Sequence, residues 1–401
     1  MFPEEITMER EKLIQEAQAL SGELTEMRRH LHRHPELGLD TKNTAAFVFD
    51  KLTEYGYRPQ YIGTNSVTAT VGNGGGKVFL LRADMDALQM PEESGLPFAS
   101  VEPDKAHCCG HDLHTAMLLG AAKLLKAHEA ELEGTVKLLF QAGEENMQGG
   151  RDVLNAGILK NPDVDAAMAI HVNSIVPCGR LLVFTGAATA SSDLFTIHIK
   201  GRGCHGSRPD EGIDPLNAAA HIHIALQELQ ARELAAGETG VLTIGCMQGG
   251  TTFNVIPDEA KLMGTIRTYN NEVRENLRQR LQDIVHHTAA AFRAEATVEF
   301  SDNYTVPLVC NPELSKQTLT ALKALYPGDE VRPMPKSFPG SEDFAFIANE
   351  VPSVFVVLGA NAVPGTKFGQ HHPKVQFNED CLPIGAAAHT QAAIEWLKHN
   401  R

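Results

Sequence analysis

No stretch of this chain approaches the ~20 consecutive apolar residues that a membrane-spanning helix needs. Basic residues are scarce: 35 Lys and Arg against 50 Asp and Glu leave a formal charge of −15. Nucleic acid and anionic membrane attract proteins with a Lys/Arg surplus, so neither is expected as a partner. Met1 to Gln18 lack the basic start and apolar core of a signal peptide. Cysteine is sparse and odd in number, seven in 401 residues, which does not suggest a disulfide framework. Reduced thiols in a cytoplasmic protein are the expectation. Low-complexity tracts and internal repeats are also missing. What is present is an ordinary globular composition, 43% hydrophobic and 21% charged, long enough for two domains.

Apolar residues Leu13, Ala17, Leu20, Leu24, Met27 and Leu31 recur at spacings of three and four and predict one helix over residues 9–31. A second helix is expected over 44–55, ending at Gly56. Short apolar runs at 78–81, 135–140 and 166–171 then alternate with a helix at 113–128. This alternation predicts an α/β architecture with a largely parallel sheet. Such folds place ligands at the C-terminal ends of their strands. Asp84, Asp86, Glu144, Glu145 and His171 all stand at or just past such ends. From about residue 189 the order becomes β-α-β-β-α-β, with helices at 215–234 and 272–293, which is the split, ferredoxin-like pattern. The α/β pattern resumes after Tyr304, so the boundaries expected are 1–188 with 304–401 for one domain and 189–303 for the insert. The stretches 335–341 and 360–373 are candidate functional loops.

The polar residues at the strand ends have a chemical pattern. Cys109 and His111 are two apart and reach the same side of an extended backbone. With Glu144, Glu145, His171 and the pair His371–His372 they offer enough ligands for two divalent metals and leave one carboxylate to act as a base. Each residue alone also has an ordinary reading: Cys109 as a buried hydrophobe, Glu144–Glu145 as a solvated turn, His171 as a core histidine, His371 as a loop histidine.

Four runs stand out: Arg28 to Gly38 (RRHLHRHPELG), Arg82 to Leu88 (RADMDAL), Cys109 to Thr115 (CGHDLHT) and Gln141 to Glu145 (QAGEE). Together they resemble the amidohydrolase branch, subfamily D, of the M20 metallopeptidases. Gly201 to Gly206, Asn254 to Asp258, Gly264 to Arg267, Gly340 to Phe344 and His371 to Pro373 continue the likeness in order along nearly the whole chain. The resemblance implies a zinc-peptidase-like catalytic domain with an inserted lid and dimerisation domain. It implies Cys109, His111, Glu145, His171 and His371 as metal ligands, with Cys109 bridging, and Glu144 as the general base acting on a metal-activated water. It also implies that His205 reaches a partner subunit's active site in a homodimer. Asn254 and Arg267 are candidates to hold a substrate carboxylate, and Gly340 to line the pocket. Three positions depart from the family pattern. Ala142 stands where proline is usual, Cys108 replaces a small residue, and Asp84-Met85-Asp86 stands where other branches carry a His-x-Asp ligand pair. Asp84 and Asp86 are therefore expected to support the ligands.

The function expected is hydrolysis of N-acyl or N-aroyl amino acids with two divalent ions, Zn, Mn, Co or Ni, as in hydrolases of N-acyl amino acids, hippurate or indoleacetyl-amino acids. A dipeptidase or carboxypeptidase on the same scaffold is the close alternative. A non-catalytic metal-binding protein is the distant one.

Overall fold

The computed structural model describes residues 3–362 and 368–400. Residues 363–367, inside the candidate loop at 360–373, lie outside the described residues. The chain divides into two compact units, one of Met1–Ala188, Val309–Ser337 and Asp343–Arg401, the other of Thr189–Leu308 and Phe338–Glu342. No helix among the described residues is long and apolar enough to cross a membrane.

The first unit opens with α1 (Pro3–Ala19) and α2 (Ser21–Arg33). One continuous helix was the sequence expectation, but it breaks at Leu20, whose N–H turns back to Ala17 O at 3.1 Å. Ser21 and Gly22 follow, and both hold a helix poorly. Next come α3 (Lys42–Glu54), β1 (Gln60–Ile62), β2 (Ser66–Gly72) and β3 (Val78–Asp84). They are followed by α4 (His111–Ala127), β4 (Thr135–Gln141), α5 (Gly149–Asn155), β5 (Ala166–Asn173) and β6 (Leu181–Phe184). After the second unit come α6 (Pro312–Leu325), β7 (Val331–Met334), β8 (Ser353–Gly359) and α7 (Cys381–His399).

The strands form one eight-stranded sheet in the order β1-β2-β4-β3-β5-β8-β6-β7. Its centre, from β4 to β8, is parallel. β2 and β1 add to one side antiparallel, and β6 pairs antiparallel with β8 on the other. Every residue of β3, β4 and β8 is buried. That is the signature of a parallel sheet covered on both faces, and it explains why those strands read as continuous apolar runs. Helix α4 packs on β3 and along α7, and one apolar cluster joins these helices to the sheet.

The second unit is a four-stranded antiparallel sheet with strands Gly240–Gly249, Glu259–Thr268, Asp193–Lys200 and Glu295–Phe300 in that spatial order. In chain order this is the ferredoxin-like arrangement. Along Asp193–Lys200, residues Asp193, Phe195, Ile197 and Ile199 are buried and their neighbours face outward, the period-two pattern of a half-covered sheet. Helices Pro215–Ala225 and Asn271–Ala291 complete its core. The first was expected to run to Leu234. It gives way to a wider turn in which Leu234 N–H bonds Leu229 O at 3.2 Å. A five-residue hydrogen bond matches the five-residue spacing of these two leucines, and both join the core.

Candidate metal centre

The centre forms where the large sheet opens. The β3–β5 ladder runs from Phe79↔Ala166 to Arg82↔Ala169 and stops. β3 stays paired with β4 as far as Asp84↔Gln141, and β5 stays paired with β8 as far as Asn173↔Gly359. Past Arg82 and Ala169 the two strands therefore part, and the start of α4 enters the gap. Gly110, just before α4, has φ +100, and a Cβ there would stand 2.4 Å from Val172 Cγ2. Only glycine combines that backbone with that approach.

The five expected ligands come together. Cys109 Sγ lies 3.5 Å from His171 Nε2, and His371 Nε2 lies 3.6 Å from Glu145 Oε2. His111 Nε2 is 3.8 Å from Glu145 Oε1 and 4.0 Å from Glu144 Oε2. The ligand atoms of Cys109, His111 and His171 fall within 4.8 Å of one another, as do those of Cys109, Glu145 and His371. Cys109 is common to both groups.

Backbone carbonyls aim the rings. His111 Nδ1–H donates to Asp86 O at 2.8 Å, and His171 Nδ1–H donates to Val172 O at 2.7 Å. A carbonyl only accepts, so Nδ1 carries a proton in both rings and Nε2, once deprotonated, turns its lone pair to the cluster. The Asp86 carboxylate accepts the amide N–H groups of Glu144 and Glu145, at 3.0 Å each. Asp84 accepts from Arg82 Nη1 and His114 Nδ1, each at 2.5 Å. Both aspartates are thus engaged by protein donors. Beneath them Asp343 accepts from Arg82 Nη2 at 2.8 Å, Gln141 Nε2 at 2.7 Å and the Gly150 N–H at 2.7 Å. Ala142, in place of proline, donates its N–H to Ser66 Oγ at 3.0 Å.

A divalent cation fits this donor set. His111 Nε2 and Glu145 Oε1 are buried without a hydrogen-bond partner, an arrangement that costs free energy unless something positive meets them. Burial pushes the Glu145 carboxyl up to about 7, with Asp86 and Asp84 adding to the rise and His111 opposing it. Burial and the charge of Glu145 raise the Cys109 thiol well above its ordinary range. Burial would lower His111, yet Asp84 and Cys109 hold it well above an ordinary histidine. Thiolate, carboxylate and imidazole are the ligands that zinc and its neighbours take.

His371 stands at φ +64, a left-handed backbone that non-glycine residues rarely adopt, and its N–H bonds Cys108 O at 3.0 Å. His372 instead accepts the Lys374 N–H at 3.1 Å and stacks on Phe368. Cys108, a possible competitor for metal, packs into the apolar core, where burial lifts its thiol to about 12.

The remaining sequence candidates lie in the second unit. His205 sits on a two-residue strand paired with Val255–Ile256, is exposed, and accepts from Ser207 N–H at 3.1 Å and Ser207 Oγ–H at 2.8 Å. Asn254 is beside it, its carbonyl taking the Gly206 N–H at 2.8 Å. Arg267 belongs to the four-stranded sheet, and its Nη1 is buried without a partner. Gly340 comes from another segment, with its carbonyl on the Ala190 N–H at 2.9 Å.

Sequence reasoning gave no role to a second buried network. Arg28 Nε donates to Asp112 Oδ2 at 2.7 Å and Arg28 Nη1 to Glu379 Oε1 at 3.2 Å. His32 bridges the same Asp112 oxygen at 2.8 Å and Glu92 at 3.1 Å. The signal available was the four-residue spacing of Arg28 and His32 on one helix face. His114 was missed as well, though it stands three residues after His111 on α4.

Residues 80–395 match peptidase family M20/M25/M40. IAA-amino acid hydrolase ILR1-like 2 of Arabidopsis thaliana is 35% identical over 94% of this chain and 85% of that protein. N-acetylcysteine deacetylase of Bacillus subtilis is 36% identical over 94% of this chain and 97% of its own. Among solved structures, the Bacillus subtilis YXEP protein, described as a dinuclear metal binding peptidase from the M20 family, superposes with a TM-score of 0.81. It is 33% identical, over 95% of this chain and 99% of that one. Taken with the ligand cluster at the opened strand ends, these likenesses show that the chain belongs to peptidase family M20/M25/M40, hydrolases of amide and peptide bonds.

Proposed function

We propose that this chain releases amino acids from N-acyl or N-aroyl amino acids. Two divalent ions would be held by Cys109, His111, Glu145, His171 and His371, with Cys109 shared. The observation that carries this reading is the pair of three-residue ligand groups that meet at Cys109. The names of two relatives support the substrate class, since both describe a conjugated amino acid. When bound, the ions would polarise the scissile carbonyl and make the attacking water more acidic. Glu144 takes the proton of that water and delivers it to the leaving amine. Asp86 fixes both glutamates through their amides, so one carboxylate can serve the ions while its neighbour serves the substrate.

Residues 189–303 serve as lid and dimerisation domain in this proposal. His205 is the donor for the developing oxyanion in the partner subunit of a homodimer. Asn254 and the guanidinium of Arg267 take the substrate carboxylate, and Gly340 lines the pocket. The shared thiolate favours zinc, although Mn, Co and Ni also suit the imidazole and carboxylate donors. A reducing, cytoplasmic setting keeps such a thiolate available.

The test is amino-acid release from N-acetyl, N-benzoyl and long-chain N-acyl amino acids and from dipeptides, with chelated protein and after adding Zn, Mn, Co or Ni. Metal-restored hydrolysis of the acyl amino acids is expected. Preference for dipeptides would replace the proposal with a peptidase. Silence with no metal bound would point to a non-catalytic protein.

A further inference from the structure

His114 crosses the gap where β3 and β5 part. It is almost wholly buried, and each ring nitrogen has one partner. Nδ1 lies 2.5 Å from Asp84 Oδ1, at the end of β3. Nε2 lies 2.8 Å from the amide nitrogen of Val172, near the end of β5. The two contacts assign the tautomer. An amide N–H only donates, so Nε2 accepts and the proton sits on Nδ1, directed to the carboxylate. The β3–β5 ladder has already ended at Arg82↔Ala169, so β3 offers the Val172 N–H no rung. The imidazole supplies the missing acceptor.

Val172 is the residue that aims His171. Its amide closes the peptide that leaves His171, and its carbonyl receives the His171 Nδ1–H at 2.7 Å. The rings of His114 and His171 are 4.5 Å apart, edge to face, so His114 also walls one side of the His171 ring. We infer that His114 is a positioning residue for the metal centre: it replaces a lost sheet rung, pins the Val172 peptide, and so presents His171 Nε2 to the cluster. The inference rests on His171 being a ligand, as proposed above.

Two substitutions separate the halves of this contact. His114→Asn keeps a donor near Asp84 and loses the acceptor for Val172. His114→Gln can offer its amide oxygen to Val172 and loses the Nδ1 donor. Binding of Co²⁺ to chelated protein is followed by equilibrium titration, and the cobalt–thiolate absorption reports the geometry around Cys109. H114N should weaken at least one Co²⁺ site by about 10–100-fold, the usual effect of removing a partner that orients a metal ligand. H114Q should stay within a few-fold of wild type with a similar spectrum. Equal loss in both variants, or none in H114N, would overturn the inference. If a variant does not fold, nitrogen-15 spectra of the wild-type histidines decide: a His114 protonated on Nδ1 is expected, and one protonated on Nε2 would refute it. His171→Ala is the control. Undiminished binding of two Co²⁺ ions by H171A would remove the ligand assignment itself, whereas loss in H171A without loss in H114N would remove only the role of His114.

Discussion

Asp112 offers a stability prediction that can be read without metal. It is buried, accepts Arg28 Nε at 2.7 Å and His32 Nδ1 at 2.8 Å, and opens the first turn of α4. Burial works against its ionisation, but Arg28 and then His32 outweigh it and hold the carboxyl far below the usual carboxylate range. Asp112→Asn keeps the shape and removes the charge, leaving the fully buried Arg28 with Glu379, whose side chain is 19% exposed, at 3.2 Å. Breaking a buried pair from one side costs about 3–5 kcal/mol. The remaining Glu379 argues for the lower end. With a urea dependence of roughly 3 kcal/mol per molar, the midpoint should fall by about 1 M. The assay is urea unfolding of chelated protein followed by tryptophan fluorescence. The only tryptophan of the chain, Trp396, stacks on Phe79 at 4.8 Å, so the signal reports the first unit. The double variant Arg28→Met/Asp112→Leu should recover most of the loss, because an apolar pair of similar volume carries no buried charge. A cost below about 1 kcal/mol for D112N, or a double variant worse than the single, would refute this account.

Glu144→Gln should lower turnover by at least ~10²-fold while two metals remain bound, read by kinetics and metal analysis together; near-normal activity removes the assigned base. His32 carries a pH signature. Burial lowers it, but Asp112 and Glu92 raise its pKa above the ordinary value, so its ion pairs stabilise fully below ~pH 6.5 and weaken as pH rises through the raised value. The stability difference between wild type and His32→Asn should therefore shrink from pH 6 to pH 9, and a flat difference counts against the pairing. Gly149→Ala would place a methyl 1.8 Å from Ala142 O, so the turn bearing Glu144 and Glu145 must shift. Metal affinity and kcat/KM should fall together by an order of magnitude or more, and wild-type values would show that the turn tolerates displacement.

The parts of the molecule readable from sequence share a physical basis. β3, β4 and β8 are buried on both faces, so they appear as unbroken apolar runs, and the polar residues that follow β3 and β4 mark the centre. The insert is readable because Asp193–Lys200 alternates and its helices are long. The short strands Leu181–Phe184 and Val331–Met334 are not readable, because their identity depends on pairing with each other across more than a hundred residues. The roles of His114 and Asp112 are hidden for the same reason. Asp84 and His114 come from different elements, and so do Arg28 and Asp112; composition near either member does not name the other. The break at Leu20 was foreshadowed by Ser21–Gly22, but the surrounding apolar spacing outweighed it.

The Ala142 amide that bonds Ser66 Oγ has a consequence for sequence variation. A proline at 142 would stiffen the turn covalently, give no N–H, and release residue 66 from accepting anything. With alanine, the same stiffness depends on a hydroxyl carried by β2. Positions 66 and 142 should therefore change as a pair across related chains: a hydroxyl at 66 accompanying a non-proline at 142, and freedom at 66 wherever the ring is present.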